Sequence, residues 1–129
     1  MNNSSKEWSI YKVRFPYYNS KTNRIDYKSR PFLIIKEADN KFPKDYNALP
    51  VSKITDRSRR HVKYDVEINN NDYPNLNLTQ PISFIRIHKM QTVNEKDLYA
   101  AIVTDIDAEY PDLVANIKLL IEEYYTNFK

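Results

Sequence analysis

The chain contains no glycine in 129 residues, and this absence narrows the folds and sites that it can form. Glycine takes positive backbone φ most readily, so turns of that kind must use Asn or Asp here. Walker loops, dinucleotide-binding loops, nucleophile elbows of serine hydrolases and EF-hand loops all require glycine, and we exclude them. We expect tight turns at Asn-rich segments such as Asn69-Asn70-Asn71-Asp72.

Residue types that support metal or thiol chemistry are scarce. The chain has no cysteine, so disulfides, thiolate zinc sites and cysteine nucleophiles are excluded. Its two histidines, His61 and His88, form no HExxH motif, and we predict neither a metal nor another cofactor. No apolar run approaches the roughly 20 residues that cross a bilayer, and no apolar segment follows Met1. The sequence therefore predicts no membrane span, no signal peptide and a cytoplasmic location.

The composition indicates one globular domain with an uneven charge distribution. Hydrophobic residues make up 41% and charged residues 29%, which predicts a single domain over residues 1–129, with residues 1–7 as a flexible tail. Residues 1–64 hold fifteen Lys and Arg against six Asp and Glu, whereas residues 65–129 hold five against eleven. This asymmetry favours one face that attracts polyanions such as nucleic acid. The alternative is two ordinary solvated faces.

The hydrophobic pattern predicts a mainly β structure of the α+β class. Apolar stretches bounded by turn residues indicate strands at residues 8–15, 30–36, 45–52, 62–68, 82–87 and 99–104. Residues 16–29 are expected to form a polar loop. Asn94 is a candidate cap for a short helix, with Asp97 at its third position. A longer helix should open at Asp107, with Pro111 in its first turn. Its apolar face comprises Leu113, Ile117, Leu120, Ile121, Tyr124 and Phe128. We predict a small barrel of five to six strands with a C-terminal helix.

The segments Arg30-Pro31-Phe32-Leu33-Ile34-Ile35 and Leu49-Pro50-Val51-Ser52 carry the clearest chemical signal. Laid side by side, these two strands would bring an arginine and a hydroxyl to one surface point. A guanidinium fork matches the oxygens of a phosphate, and a hydroxyl can donate to another of them. The pair therefore suits phosphate chemistry without a metal. If it stood alone, an ordinary surface Arg and a turn Ser would explain it as well.

Together with their order along the chain, these segments resemble the MazF/PemK family of toxin endoribonucleases. Residues 82–87, followed by Gln91-Thr92-Val93-Asn94-Glu95-Lys96-Asp97-Leu98, fit the family's later hydrophobic strand and its Thr-hydrophobic-Asp segment. The similarity covers about residues 8–127, and Lys89 stands where the family usually has Gln. The resemblance implies an SH3-like barrel, a homodimer, metal-independent cleavage of single-stranded RNA (mRNA) at short motifs, and a cognate antitoxin. It also implies that Arg30 is the catalytic arginine and that Ser52 replaces the catalytic threonine.

RNA supplies its own nucleophile, the 2′-hydroxyl, so the protein must orient it and stabilise the charge on the phosphorane. Tyrosines at positions 17, 18 and 27 are candidates for stacking on splayed bases, since aromatic rings bind single strands in this way. A histidine can exchange protons near neutrality, and His88 is the better candidate of the two, although a structural role is the commoner one. The cationic candidates for RNA binding are Arg24, Lys28, Lys53, Arg57, Arg59 and Arg60, for which a solvated loop is the alternative.

Two other functions fit the same fold. One is a non-catalytic toxin that binds a protein, as the gyrase poison CcdB does. Arg30 argues against it, because that family is not marked by an arginine at the start of this strand. The other is a phage- or plasmid-borne module that binds nucleic acid and cuts nothing.

Overall fold

Seven strands and two C-terminal helices make up the described chain, which in this computed structural model comprises residues 6–39, 41–54 and 57–126. The strands are β1 (Ile10–Asn19), β2 (Arg24–Glu37), β3 (Asp45–Ser52), β4 (Asp65–Asn69), β5 (Ile82–Arg86), β6 (Gln91–Asn94) and β7 (Leu98–Val103). The helices are α1 (Ile106–Glu109) and α2 (Pro111–Thr126), with short 3-10 turns at Arg57–Arg59, Pro74–Leu76, Ile87–Lys89 and Glu95–Asp97. The sheet order is β4-β5-β3-β2-β1-β7, with β6 also paired to β3.

The mainly β class with a C-terminal helix is confirmed, and the sheet curls into a half-barrel. The predicted count of five to six strands was too low because β6 is only four residues long. The predicted strand at 62–68 begins later, at Asp65, and Val62 is 86% exposed in the preceding turn. The first five residues of the predicted tail lie outside the described residues, while Lys6 forms an ion pair with Glu95 at 3.5 Å.

Residues 16–29 form a long β-hairpin instead of the predicted loop. β1 and β2 pair without interruption from Ile10 opposite Leu33 to Asn19 opposite Arg24. Aromatic and β-branched side chains on both strands favour this extended pairing, and they outweigh the many charged residues between them. The hairpin turns at Asn23, whose φ is 59°. Asn77 and Asp105 also have positive φ, as does Trp8, so three of the four positive-φ residues described are the types expected in a glycine-free chain.

Buried side chains pack on both faces of β2, as its continuous apolar run predicts. Leu33 and Ile35 join the main core, which lies beneath α2 and includes Leu49, Val51, Ile85 and Ile117. Phe32 and Ile34 point the other way, into a smaller cluster completed by Val13, Tyr46, Ala48 and Val93. The main core therefore lies on the face of the sheet that α2 covers, and the smaller cluster lies on the opposite face.

The C-terminal helix is interrupted, in contrast to the single helix predicted from Asp107. Tyr110 separates α1 from α2 and has a φ of −131°. Proline disfavours helical geometry in the residue before it, so Pro111 ends α1 at Tyr110 and then opens α2 at a position where it is tolerated. Leu113, Val114 and Ile117 are buried beneath α2, while Phe128 lies outside the described residues. The predicted cap at Asn94 is confirmed, since its Oδ1 accepts a hydrogen bond from Lys96 N at 3.1 Å.

Candidate active site

The candidate site forms where β3 changes its neighbour in the sheet. Phe32 pairs with Pro50 at one end of the β2–β3 ladder, and β3 then pairs with β5 at Val51 and Ser52. If that antiparallel register continued for two more residues, Arg30 of β2 would lie opposite Ser52, and both residues line the same cavities. The two strands part here, because β2 continues into the hairpin with β1. The predicted Arg30–Ser52 juxtaposition therefore occupies a fork in the sheet.

Arg30 and Ser52 both line two cavities that adjoin at this fork. The first cavity, of about 370 Å³, is lined by Phe15, Pro16, Tyr17, Lys28, Arg30, Phe32, Pro50, Ser52, Arg86, Lys89 and Gln91. The second, of about 280 Å³, shares Arg30, Phe32, Pro50 and Ser52 with the first and adds Lys53, Thr79, Gln80 and Ser83. Four cationic side chains line the first cavity, with no acidic side chain among its described lining residues. The site is therefore suited to a phosphate chain that crosses the fork.

Arg86 is a cavity residue that the sequence reasoning missed. It is two residues from Phe84, which pairs with Ser52, so Arg86 projects from the same face of the sheet as Ser52. The available signal was an arginine flanked by Ile85 and Ile87 within a buried strand. A charged residue in such a position usually has a partner and a purpose.

Arg86 is held by a carboxylate that is completely buried. Its Nε donates to Asp65 Oδ1 at 2.9 Å and its Nη2 to Asp65 Oδ2 at 3.4 Å. The exposed fraction of the side chain is 22% for Arg86 and 0% for Asp65. The second oxygen of Asp65 also accepts from the backbone N of His61 at 2.7 Å. These donors compensate the cost of burying the carboxylate.

His88 lies behind this ion pair and outside the residues that line the two cavities. Its Nδ1 is 3.8 Å from Asp65 Oδ1, and its ring is 5.1 Å from that of His61. Burial lowers the pKa of His88, and the nearby Asp65 carboxylate opposes that shift. The Nδ1 atom is buried without a hydrogen-bond partner in the described structure. The position fits packing between Asp65 and Tyr124 better than contact with RNA.

The three candidate tyrosines are divided between the two faces of the hairpin. Tyr17 lines the first cavity, where Lys28 Nζ lies 4.5 Å from its ring centroid. Tyr18 and Tyr27 project from the other face and are 57% and 60% exposed. Arg14 covers the ring of Tyr27 at 5.0 Å. The fold therefore brings Tyr17 and Lys28 to Arg30 and directs Tyr18 and Tyr27 away from it.

The remaining cationic candidates occupy different surroundings. Lys53 lines the second cavity, and the guanidinium of Arg60 lies 5.0 Å above the ring of Phe84. Arg59 is exposed, and its carbonyl accepts from Arg86 Nη2 at 3.5 Å. Arg24 sits near the hairpin tip, 3.8 Å from Asp26. Arg57 opens a 3-10 turn, and its side chain lies outside what the structure describes.

In residues 6–39, 41–54 and 57–126, no group of three or more His, Asp or Glu is arranged to hold a metal ion. No helix in this part of the chain has the length and apolar character needed to cross a bilayer.

Comparison with known proteins identifies the family of this chain. The family model described as "PemK-like, MazF-like toxin of type II toxin-antitoxin system" matches residues 6–120, which include both strands of the fork and most of α2. Among curated proteins, none matches the chain. Because the family match covers most of the sequence, the chain belongs to the PemK-like, MazF-like toxins of type II toxin–antitoxin systems.

Proposed function

We propose that the protein is an endoribonuclease that cleaves single-stranded RNA at the Arg30–Ser52 fork without a metal. The observation that carries this proposal is the meeting of Arg30 and Ser52 between two cavities, one of which has a cationic lining. Membership of the toxin family supports it independently. The substrate would be mRNA, bound with one nucleotide on each side of the fork.

The reaction would use the 2′-hydroxyl of the substrate as nucleophile. The P–O2′ bond forms as the P–O5′ bond breaks, the 2′-hydroxyl loses its proton, and the departing 5′-oxygen gains one. The products are a 2′,3′-cyclic phosphate and a 5′-hydroxyl end. Arg30 would bind two phosphate oxygens with two N–H groups of its guanidinium. The Ser52 hydroxyl would donate a hydrogen bond to a phosphate oxygen on which negative charge develops. Arg86 would add a second guanidinium to the same cavity.

Single-stranded RNA would reach the fork along the cationic surface. Lys28 and Lys89 would attract the backbone in the first cavity, and Lys53 would do so in the second. Tyr17 would stack on a base beside Lys28. Tyr18, Tyr27 and Arg24 would lie outside this path. His88 is not included in the proposed site, because the cavity walls do not contain it.

The proposal includes two protein partners, a second copy of the chain and an antitoxin. An isolated small domain offers little surface to a long RNA, and family membership supports both partners. Equilibrium sedimentation should show a dimer at a protein concentration of about 10 μM. A dimer dissociation constant of that size corresponds to an association free energy of roughly −7 kcal/mol. A monomer at that concentration would contradict the dimer but leave the chemistry untouched.

The proposed activity is tested by incubating the purified protein with long single-stranded RNAs in EDTA and mapping new 5′-hydroxyl ends. We expect cuts at a short recurring motif and cyclic phosphates on the upstream fragments. Cleavage that requires an added divalent metal would contradict the mechanism. RNA binding without any cleavage would favour the binding-module function instead.

A further inference from the structure

Asp65 is the most completely buried carboxylate near the candidate site, and its side chain holds Arg86, which lines the first cavity. It stands at the start of β4, opposite Arg86 in the β4–β5 ladder. Both of its oxygens accept hydrogen bonds from the Arg86 guanidinium, and Oδ2 also accepts from His61 N. A carboxylate with this many charged and backbone donors has a fixed position, and it fixes its partners in turn.

The orientation of Arg86 follows from these contacts. Nε and Nη2 are engaged by Asp65, and Nη2 also reaches the carbonyl of Arg59 at 3.5 Å. For Nη1, the described residues supply no hydrogen-bond partner, and Arg86 lines the first cavity with Arg30 and Ser52. Because the guanidinium is planar and rigid, holding one edge also sets the direction of the remaining donors.

We propose that Asp65 is a positioning residue that aims Arg86 at the RNA phosphate. This inference rests on the proposed ribonuclease function. Asp65 touches no substrate itself. By holding the Nε edge, it leaves Nη1 for a phosphate oxygen bound at the fork. Through His61 N, the same carboxylate anchors the end of the basic segment Arg59-Arg60-His61, so this segment and Arg86 share one attachment point.

A double-mutant cycle separates positioning from a merely structural role. Asp65→Asn preserves the shape of the side chain but loses the charge and one acceptor, and Arg86→Ala removes the guanidinium. We expect Asp65→Asn to lower kcat about 10- to 100-fold, since small misplacements of a catalytic group have losses of this order. In the Arg86→Ala background, the same substitution should change kcat less than about twofold. Equal losses in both backgrounds would overturn the proposal.

Glu67→Gln is the matched control, because Glu67 is an exposed carboxylate on the same strand. It should cleave at the wild-type rate. Circular dichroism and thermal unfolding would verify that each variant is folded.

A second measurement covers the case in which Asp65→Asn does not fold. In the wild-type protein, the NMR signal of the Arg86 Nε–H group is identified by its loss in Arg86→Lys. It should be protected from hydrogen exchange and should shift when a 2′-deoxy oligonucleotide of the cleaved sequence is added. An exchange-labile signal that does not respond to the oligonucleotide would overturn the proposal.

The outcomes also separate this inference from the proposed function. If the wild type cuts no RNA, both fail together. If cleavage depends on Arg30 but Arg86→Ala cuts at the wild-type rate, the function stands and the role of Asp65 is refuted.

Discussion

Ser52 lies directly opposite Phe84 in the antiparallel ladder between β3 and β5. Phe84 is in turn covered by the guanidinium of Arg60, 5.0 Å from its ring centroid. Arg60 therefore packs on β5, the strand that pairs with Ser52. Arg60 Nε is buried and has no hydrogen-bond partner within the described part of the chain.

Arg60→Ala should make RNA binding less sensitive to salt. If Arg60 contacts one phosphate, its loss should flatten the slope of log affinity against log salt by about 0.7 for a single strand. Lys118→Ala is the control, because Lys118 lies on α2, which packs on the opposite face of the sheet. Fluorescence anisotropy at several salt concentrations measures both slopes. An unchanged slope for Arg60→Ala would show that Arg60 contacts no phosphate.

Tyr17→Ala should weaken RNA binding, whereas Tyr27→Ala should not. Tyr17 lines the first cavity, and Tyr27 is exposed on the other face of the hairpin. Loss of one stacked base costs about 1–3 kcal/mol of binding free energy. Titration with a 2′-deoxy oligonucleotide measures affinity without cleavage, and Tyr17→Phe should bind as the wild type does. Equal losses from Tyr17→Ala and Tyr27→Ala would place the RNA elsewhere.

Tyr125→Phe should destabilise the protein by about 1–3 kcal/mol, because it leaves two half-buried backbone groups unsatisfied. The Tyr125 hydroxyl donates to Ile87 O at 2.7 Å and accepts from Met90 N at 3.0 Å. These bonds attach α2 to the turn that follows Arg86. Tyr99→Phe, at a tyrosine that is 56% exposed, should change stability by less than about 0.5 kcal/mol. Urea unfolding compares the two variants. Similar unfolding midpoints for Tyr125→Phe and Tyr99→Phe would contradict a stabilising role for the Tyr125 hydroxyl.

Stability should fall with decreasing pH in a manner that depends on His88. Burial lowers its pKa in the folded protein from an ordinary value of 6.5. Between that value and the lowered pKa, the unfolded chain binds more protons than the folded one, so the unfolding free energy decreases as the pH falls. His88→Gln should remove this part of the pH dependence. Urea unfolding from pH 7.5 to 5 measures it, and an identical pH profile for His88→Gln would contradict the prediction.

The sequence predicted the parts of the site that depend on local patterns. Leu49-Pro50-Val51-Ser52 ends a strand whose bounds, Asp45–Ser52, match the structure, and the apolar run after Arg30 is buried on both faces. The hairpin was missed because charged residues such as Lys21 and Arg24 obscure its alternation. The contact between Asp65 and Arg86 could not be predicted, since the residues are 21 positions apart and register alone brings them together. Which face Tyr17 and Tyr27 occupy depends on that same kind of register.

The central claim is tested most directly by a single-turnover cleavage rate, measured in EDTA on one short RNA that contains a mapped cleavage site. The rate is compared between the wild type and the Arg30 and Ser52 variants. Arg30→Lys keeps the positive charge but loses the planar guanidinium donors. Removal of one transition-state donor typically slows catalysis by about a hundred- to a thousandfold. We expect a loss of that order for Arg30→Lys, a slow but measurable rate for Ser52→Ala, and an active Ser52→Thr. A 2′-deoxy residue at the scissile position should abolish cleavage, because the nucleophile is then missing. Wild-type cleavage of that substrate, or an Arg30→Ala variant that cuts as fast as the wild type, would contradict the account.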